Sequence, residues 1–532
     1  MSLSLFREKL KAEACAKPPI IRSLHEWTSP TRRSGHRELT LIPVELYLEI
    51  LEYLKPSTDP FASQPANEKR LNDFRSLSLV CRFLCALTLP IIFKSIVLRL
   101  NLDSGGYIPF CRSLTQGELF AESLASHVEQ CAFRDWFDTS SVNNPSMVKA
   151  FFKTYVDALP KMTNVTSFIL SRTRVTTPIL ANIRRLPNLI SFTLEGCNLQ
   201  ELTAKNIEKF ASTVKLQTFR VILQDNDGEL CACSGPRAAG FLPLTTMELV
   251  EMRSDCWALT KVLISSSLVP PPPPLRILQV FEVEDFGLFC EFLYRIPTLE
   301  SLTMDYVVHP KHSVGDKFPF SVSLNLSRLD HLRHLSFPPH LICHLVGPHK
   351  LLRLSMSTCV GGSITDRANI YNSLSLPPTW KDMASYQFLE ELCLPYTFAT
   401  GVTSLRTASD SSAKVPRELK KLTIIDTFAS FPSSDILLEN ILDSLFMFWK
   451  TPSLKELKIT ELIYPDHDES QEEEPGNISL KCMRKVIKLL TQKKYFPELE
   501  LLSFCGVGGE ETNWRKYFSS DEWEVVVAEG EY

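Results

Sequence analysis

Between residues 41 and 55, in LIPVELYLEILEYLK, apolar side chains recur at Leu46, Ile50, Leu51 and Leu54. A spacing of three or four lays them along one stripe of a helix, and Glu45, Glu49 and Glu52 stay off it. Pro43 brings a φ suited to the first turn, and Glu45 lies near the positive end of the helix dipole. After the polar stretch PSTDPFASQPANEKRLND, residues 77–96 (LSLVCRFLCALTLPIIFKSI) are apolar on most faces of a second helix, through Leu79, Val80, Phe83, Leu84 and Leu87. Pro90 predicts the end of that helix, ahead of Ile91, Ile92 and Phe93. So small a helical unit cannot cover this much apolar surface by itself, and a partner is expected.

Beyond residue 150 a different period takes over. In LPNLISFTLEGCNL (186–199) apolar residues stand at Leu186, Leu189, Phe192, Leu194, Cys197 and Leu199, and MTNVTSFILSRTRV repeats the frame 24 residues earlier with Met162, Val165, Phe168, Leu170 and Val175. This is the pattern of leucine-rich repeats, in which a short strand turns alternate side chains inward and an Asn or Cys lets the chain turn within the core. The frame recurs in VKLQTFRV, LPLTTMEL, PPLRILQV, IPTLESLTM, LDHLRHLSF, HKLLRLSM, QFLEELCL, RELKKLTI, TPSLKELKI and FPELELLSF, twelve candidate strands in all. Helical patterns fill many intervals: TPILANIRR with Thr177 as cap and Pro178 in the first turn, TAKNIEKFASTV with Ile207, Phe210, Ala211 and Val214 on one face, and later SSDILLENILDSLFMFWK and SLKCMRKVIKLL. The predicted class is α/β: a solenoid of stacked units with parallel strands on its concave side and helices outside. The side chains between the inward leucines then face a ligand: Ser191, Thr193, Glu195, Arg220, Glu248, Gln279, Phe281, Asp305, His334, Arg353, Glu391, Lys421 and Lys458. A slip of one residue exchanges inward for outward positions.

The two N-terminal stretches resemble the F-box, a three-helix module that docks on the Skp-type adaptor of a cullin-RING ubiquitin ligase. The matching positions are Pro43, Leu46, Ile50, Leu51 and Leu54, then Leu79, Val80, Cys81 and Arg82, with Pro90 and Phe93 near the end. An F-box followed by leucine-rich repeats is a familiar arrangement among divergent fungal substrate receptors. The resemblance implies that Pro43, Leu46, Ile50, Leu51, Leu54, Leu79, Val80 and Cys81 hold the adaptor while the repeats hold a target protein. The organisation expected on this reading is a partly disordered leader over 1–38, an F-box-like module over 39–100 with a loop insert at about 56–73, a linker and cap over 101–146, and the solenoid over 147–532, with separate cores for module and solenoid. The other reading is a repeat scaffold that recruits no ligase.

Composition narrows the chemistry. With 532 residues the chain exceeds one ordinary core, and a net charge of -4 offers no field for nucleic acid. No apolar run reaches the length of a membrane span, and charges interrupt the first residues where a signal-peptide core would lie, so the expected location is cytoplasmic, nuclear or both. Fifteen cysteines without framework spacing fit reduced thiols. His331, His334, His340, His344 and His349 lie near Cys343 and Cys359, yet no pair has the spacing of a closed zinc site; Cys231 and Cys233 also lack a second pair. GVGGEE lacks the lysine and hydroxyl of a phosphate loop. The prolines Pro270 to Pro274 read as a stiff loop, and the acidic run 465–477 as a solvated one. No catalytic residue, metal or cofactor is expected.

Overall fold

Each of the twelve stretches carrying the leucine frame contains a strand in the computed structural model. It describes residues 44–54, 64–99, 106–136, 145–222, 240–241, 246–253, 264, 274–283, 285–307, 323–338, 341, 344–347, 350–356, 387–395, 418–426, 453–461, 490, 496–505, 511–516 and 523–527. The chain divides into two compact units, Met1–Leu216 with Gln224–Pro243, and Gln217–Leu223 with Leu244–Tyr532.

The first unit opens with three helices, α1 (Val44–Leu54), α2 (Gln64–Ser78) and α3 (Arg82–Lys94). Leu51 of α1, Phe74 of α2 and Ile92 of α3 form their shared core, with Leu77, Leu87, Ile91 and Phe93 against it. Two expectations change here. The second half of the 56–73 insert is helix, because the helix formers of NEKRL run into Phe74, whose burial outweighs the scattered turn residues. The break between helices falls at Leu79–Val80 and not at Pro90, which lies inside α3. The Cys81 Sγ caps α3 by accepting from the Leu84 amide at 3.5 Å.

α3 runs directly into β1 (Ser95–Arg99), so the sheet starts within the range expected to be helical module. After α4 (Ile108–Thr115) and α5 (Leu119–Ala125) comes β2 (Gln130–Trp136), placed between β1 and the next strand, so a strand of the sheet stands within the span read as linker and cap. This helical core is joined to the elements that follow it. Ala86 and Leu124 share a cluster with Phe110 and Phe120, and Phe93 belongs to this cluster as well as to the helical one. α6 (Pro145–Ala158), β3 (Ser167–Thr173), α7 (Thr177–Ile183), β4 (Ser191–Glu195) and α8 (Ala204–Ala211) follow. Thr176 is the residue before α7, one position earlier than the predicted cap, and Thr203 caps α8 by accepting from the Asn206 amide at 3.3 Å.

β1 to β4 are parallel and in register, so Ile96, Cys131, Phe168 and Phe192 form one buried row and Leu98, Phe133, Leu170 and Leu194 the next. Just past the second row the backbone turns left-handed at Asp135 (φ 62°), Arg172 (φ 43°) and Gly196 (φ 52°), neighbours across three strands. The turn breaks the two-residue alternation and swings the next side chain inward. Each of these reaches a carbonyl of the strand before it: Trp136 Nε1 donates to Leu98 at 2.8 Å and Cys197 Sγ to Leu170 at 3.1 Å, while Thr173 Oγ1 lies 3.4 Å from the Phe133 carbonyl and 2.8 Å from that of Ser171. A left-handed residue with a side chain costs about 1–2 kcal/mol; the Arg172–Asp135 ion pair at 2.7 Å offsets part of that.

The second unit continues with parallel strands β5 (Thr218–Ile222), β6 (Leu249–Arg253), β7 (Ile277–Val283) and β8 (Ser301–Val307). α9 (Phe286–Leu293), capped by Asp285, lies between β7 and β8. A two-stranded side pair, β9 (Leu324–Asn325) and β11 (Leu345–Val346), flanks β10 (His334–Phe337) in the chain. Then come β12 (Arg353–Met356), β13 (Glu391–Pro395), β14 (Lys421–Asp426), β15 (Glu456–Glu461) and β16 (Leu501–Cys505), each parallel to its neighbour. Leu278, Leu302, Leu335, Leu354, Leu392, Leu422, Leu457 and Leu502 make an unbroken buried row. β17 (Glu511–Lys516) and β18 (Trp523–Val527) add on antiparallel. The predicted helices within 433–450 and 479–490 lie outside the described residues, apart from buried Leu490, as do Pro270 to Pro273, the 465–477 run and Cys231 and Cys233.

Replacing Trp136 by Phe keeps an aromatic ring beside Phe133 and Phe152 and removes the indole donor together with part of the ring volume. Removing the indole donor from the buried Leu98 carbonyl is expected to cost about 0.5–1.5 kcal/mol, read as faster amide exchange in β1 and β2. Arg172→Gly is expected to act in the opposite direction or not at all, since relief of the left-handed strain exceeds the value of an exposed ion pair, about 1 kcal/mol at most. Unchanged exchange in the Trp136→Phe protein would show that the indole bond is not used.

Candidate functional site

α1 divides into sectors at about 100° per residue. Leu51 points into the helical core at 3% exposure, and Tyr47 stacks edge-on against Phe83 of α3 with ring centroids 5.2 Å apart. On another side Leu46, Ile50, Tyr53 and Leu54 are exposed, Ile50 at 58% and Tyr53 at 82%. The Leu79–Val80 turn adds two more uncovered side chains, at 86% and 67%, and Phe83 ties this corner to α1. The structure thus splits the predicted stripe. Leu46, Ile50, Leu54, Leu79 and Val80 are available to a partner, whereas Leu51 is spent on the chain's own core. Cys81 is exposed but engaged as a helix cap, and Pro43 lies outside the described residues. Leu48 and Tyr53, both exposed, were missed because the residue pattern alone does not say which of the helix's apolar side chains face inward.

The second surface is the open face of the sheet. In the second unit a groove of about 380 Å³ runs over β8, β10, β12, β13 and β14. Its wall is the register row His334, Arg353, Glu391 and Lys421, and its floor the row Thr303, Ser336, Ser355, Cys393 and Thr423. Four of the residues proposed from register therefore meet in one place. Their charges compensate one another: Arg353 pairs with Glu391 at 3.1 Å and Lys421 with Glu456 at 3.1 Å. Burial pushes the His334 imidazole below its ordinary value, aided by Arg353 and opposed by Glu391 and Glu300. Burial likewise raises the Cys393 thiol, against a hydrogen bond from Ser355.

Elsewhere the predicted register holds in part. Arg220 faces outward and pairs with Glu251 at 3.0 Å. Gln279 and Lys458 share the floor row further along, and Ser191 and Glu195 stand half-exposed on β4. Thr193 faces the same side but is 3% exposed, too covered to meet a ligand in this state. Glu248 precedes β6 instead of lying on it: Met247, Val250 and Met252 are the inward residues there, so the frame in TTMELVEMR starts at Met247 and Glu251 takes the outward place. The side chains of Phe281 and Asp305 lie outside the described residues.

Among the described residues no three His, Cys, Asp or Glu side chains converge as a metal site, and no helix is long and apolar enough to cross a membrane. His340, His349, Cys343 and Cys359 lie outside them. No protein-family model matches the chain, and no curated protein matches it in sequence. Among solved structures it is similar to the yeast Rad7 and Elc1 complex, at 12% identity over 89% of this chain and 95% of that one, with a TM-score of 0.29. It is also similar to a TLR13–ssRNA13 complex, at 12% identity over 66% of this chain and 55% of that one, with a TM-score of 0.25. Likenesses of this size carry no argument about function.

A histidine held below its ordinary value favours the neutral form in the folded state, so its contribution is complete above the unfolded value, 6.5, and is lost as pH falls below it. Urea midpoints at pH about 8 and about 5.5 are expected to differ less in His334→Gln than in the parent chain. Equal acid sensitivity in both proteins would show that the groove histidine is not strained toward neutrality.

Proposed function

We propose that this chain is the substrate-recognition subunit of a Skp-cullin-F-box ubiquitin ligase. α1 and the Leu79–Val80 turn hold the Skp-type adaptor, and the open face of the sheet holds the target. The chain itself is non-catalytic: it raises the local concentration of target lysines near the ubiquitin-loaded enzyme. The observation that carries this reading is the exposure of Leu46, Ile50, Leu54, Leu79 and Val80 at the positions where the sequence resembles an F-box. Apolar surface of that extent on one corner marks an interaction site. The balanced charges of the groove support a target recognised by shape and hydrogen bonds more than by net charge.

A repeat scaffold without ligase recruitment is the second reading, favoured by the packing of α3 on α4 and α5 through Ala86, Phe93, Phe110 and Leu124. One pair of samples separates the two. Replacing Ile50 and Leu54 together by Lys is expected to weaken adaptor binding by roughly a hundredfold or more, since each buried aliphatic contributes about 1.5–3 kcal/mol. The melting temperature should fall only slightly, because Ile50 is 58% and Leu54 36% exposed. Co-purification of the adaptor and the melt are read on the same material. A parent chain that retains no adaptor overturns the ligase reading and leaves the scaffold.

A further inference from the structure

α1 carries a third sector. Glu45, Glu49 and Glu52 occupy successive turns on the side of the exposed stripe away from the buried Tyr47 and Leu51, and all three are exposed. The helix contains no basic residue, and neither Glu45 nor Glu49 has an ion-pair partner among the described residues. One long edge of the apolar stripe is therefore the chain's own core, and the other is a line of carboxylates. A partner covering Leu46, Ile50 and Tyr53 must also approach these carboxylates. Stripping water from them without compensation is unfavourable, and an acidic wall would add repulsion.

We propose that α1 seats in an apolar groove of its partner whose wall on the Glu45–Glu49 side bears lysine or arginine side chains. This deepens the adaptor reading and rests on it. The stripe supplies the contact area and the carboxylates set its orientation, since turning α1 end for end places them against the opposite wall. Rim pairs of this kind act chiefly on the association rate and weaken with salt.

The test titrates purified Skp-type adaptor onto the full chain at about 50 mM and about 300 mM salt. It compares the parent, Glu45→Gln/Glu49→Gln and Glu45→Lys/Glu49→Lys, with melts of each protein. At low salt the Gln pair is expected to bind several-fold more weakly and the Lys pair roughly tenfold or more, mainly through slower association, with the gap closing at high salt. A Lys pair that binds as tightly as the parent, or a loss of equal size at both salts, overturns the basic wall while adaptor binding by the parent leaves the functional reading standing. A parent that does not bind the adaptor overturns both.

Discussion

Every strand of this protein has one face that its own repeat cannot cover. A strand of four to seven residues with two inward leucines is stable only beside another strand with leucines at the same height, and that requirement propagates along the chain. In the second unit it gives a row of eight leucines from β7 to β16 with no substitution by another residue type. The lateral hydrogen bonds of a parallel sheet follow from the same register, because a slip of one residue would turn the whole row to solvent. The intervals between strands of this row vary from 15 residues before β12 to 39 before β16 without disturbing it, as the cost of closing a longer connection grows slowly.

The ends of β2, β3 and β4 are under a second constraint. Each takes a left-handed residue that swings the following side chain inward, where it donates to the buried carbonyl at the second inward position of the strand before. Indole, hydroxyl and thiol all serve, because only a donor at the right place is required. Glycine meets the backbone demand at Gly196 without strain; Asp135 and Arg172 meet it beside one another, with opposite charges that also pair.

The N-terminal helices share this economy of cores. α3 contributes Ile92 to the helical cluster and Ala86 to the cluster with α5, then becomes the first strand, so the helices are anchored to the sheet through covalent continuity as well as packing. That anchoring leaves α1 joined by one side only. Its remaining circumference presents an apolar stripe and a row of carboxylates, a surface that makes physical sense as one half of an interface.

Much of this was legible in the residues. The leucine frame located twelve strands, since a period set by inward burial survives any loop length, and the apolar corner of α1 followed from its three-to-four spacing. What the sequence left open was decided by neighbours. Leu51 and Ile50 are both aliphatic, and only the positions of Phe74 and Ile92 choose which one is buried. Glu248 and Glu251 are both acidic, and only the pairing of β6 with β5 tells which lies on the open face. Trp136 and Thr173 do not look like Cys197 in sequence; their common role exists because stacked strands bring each of them under a carbonyl 38, 40 or 27 residues away. Periodicity is a property of one segment and can be read along the chain, whereas the choice among equivalent side chains is made by contacts between segments, which exist only once they are stacked.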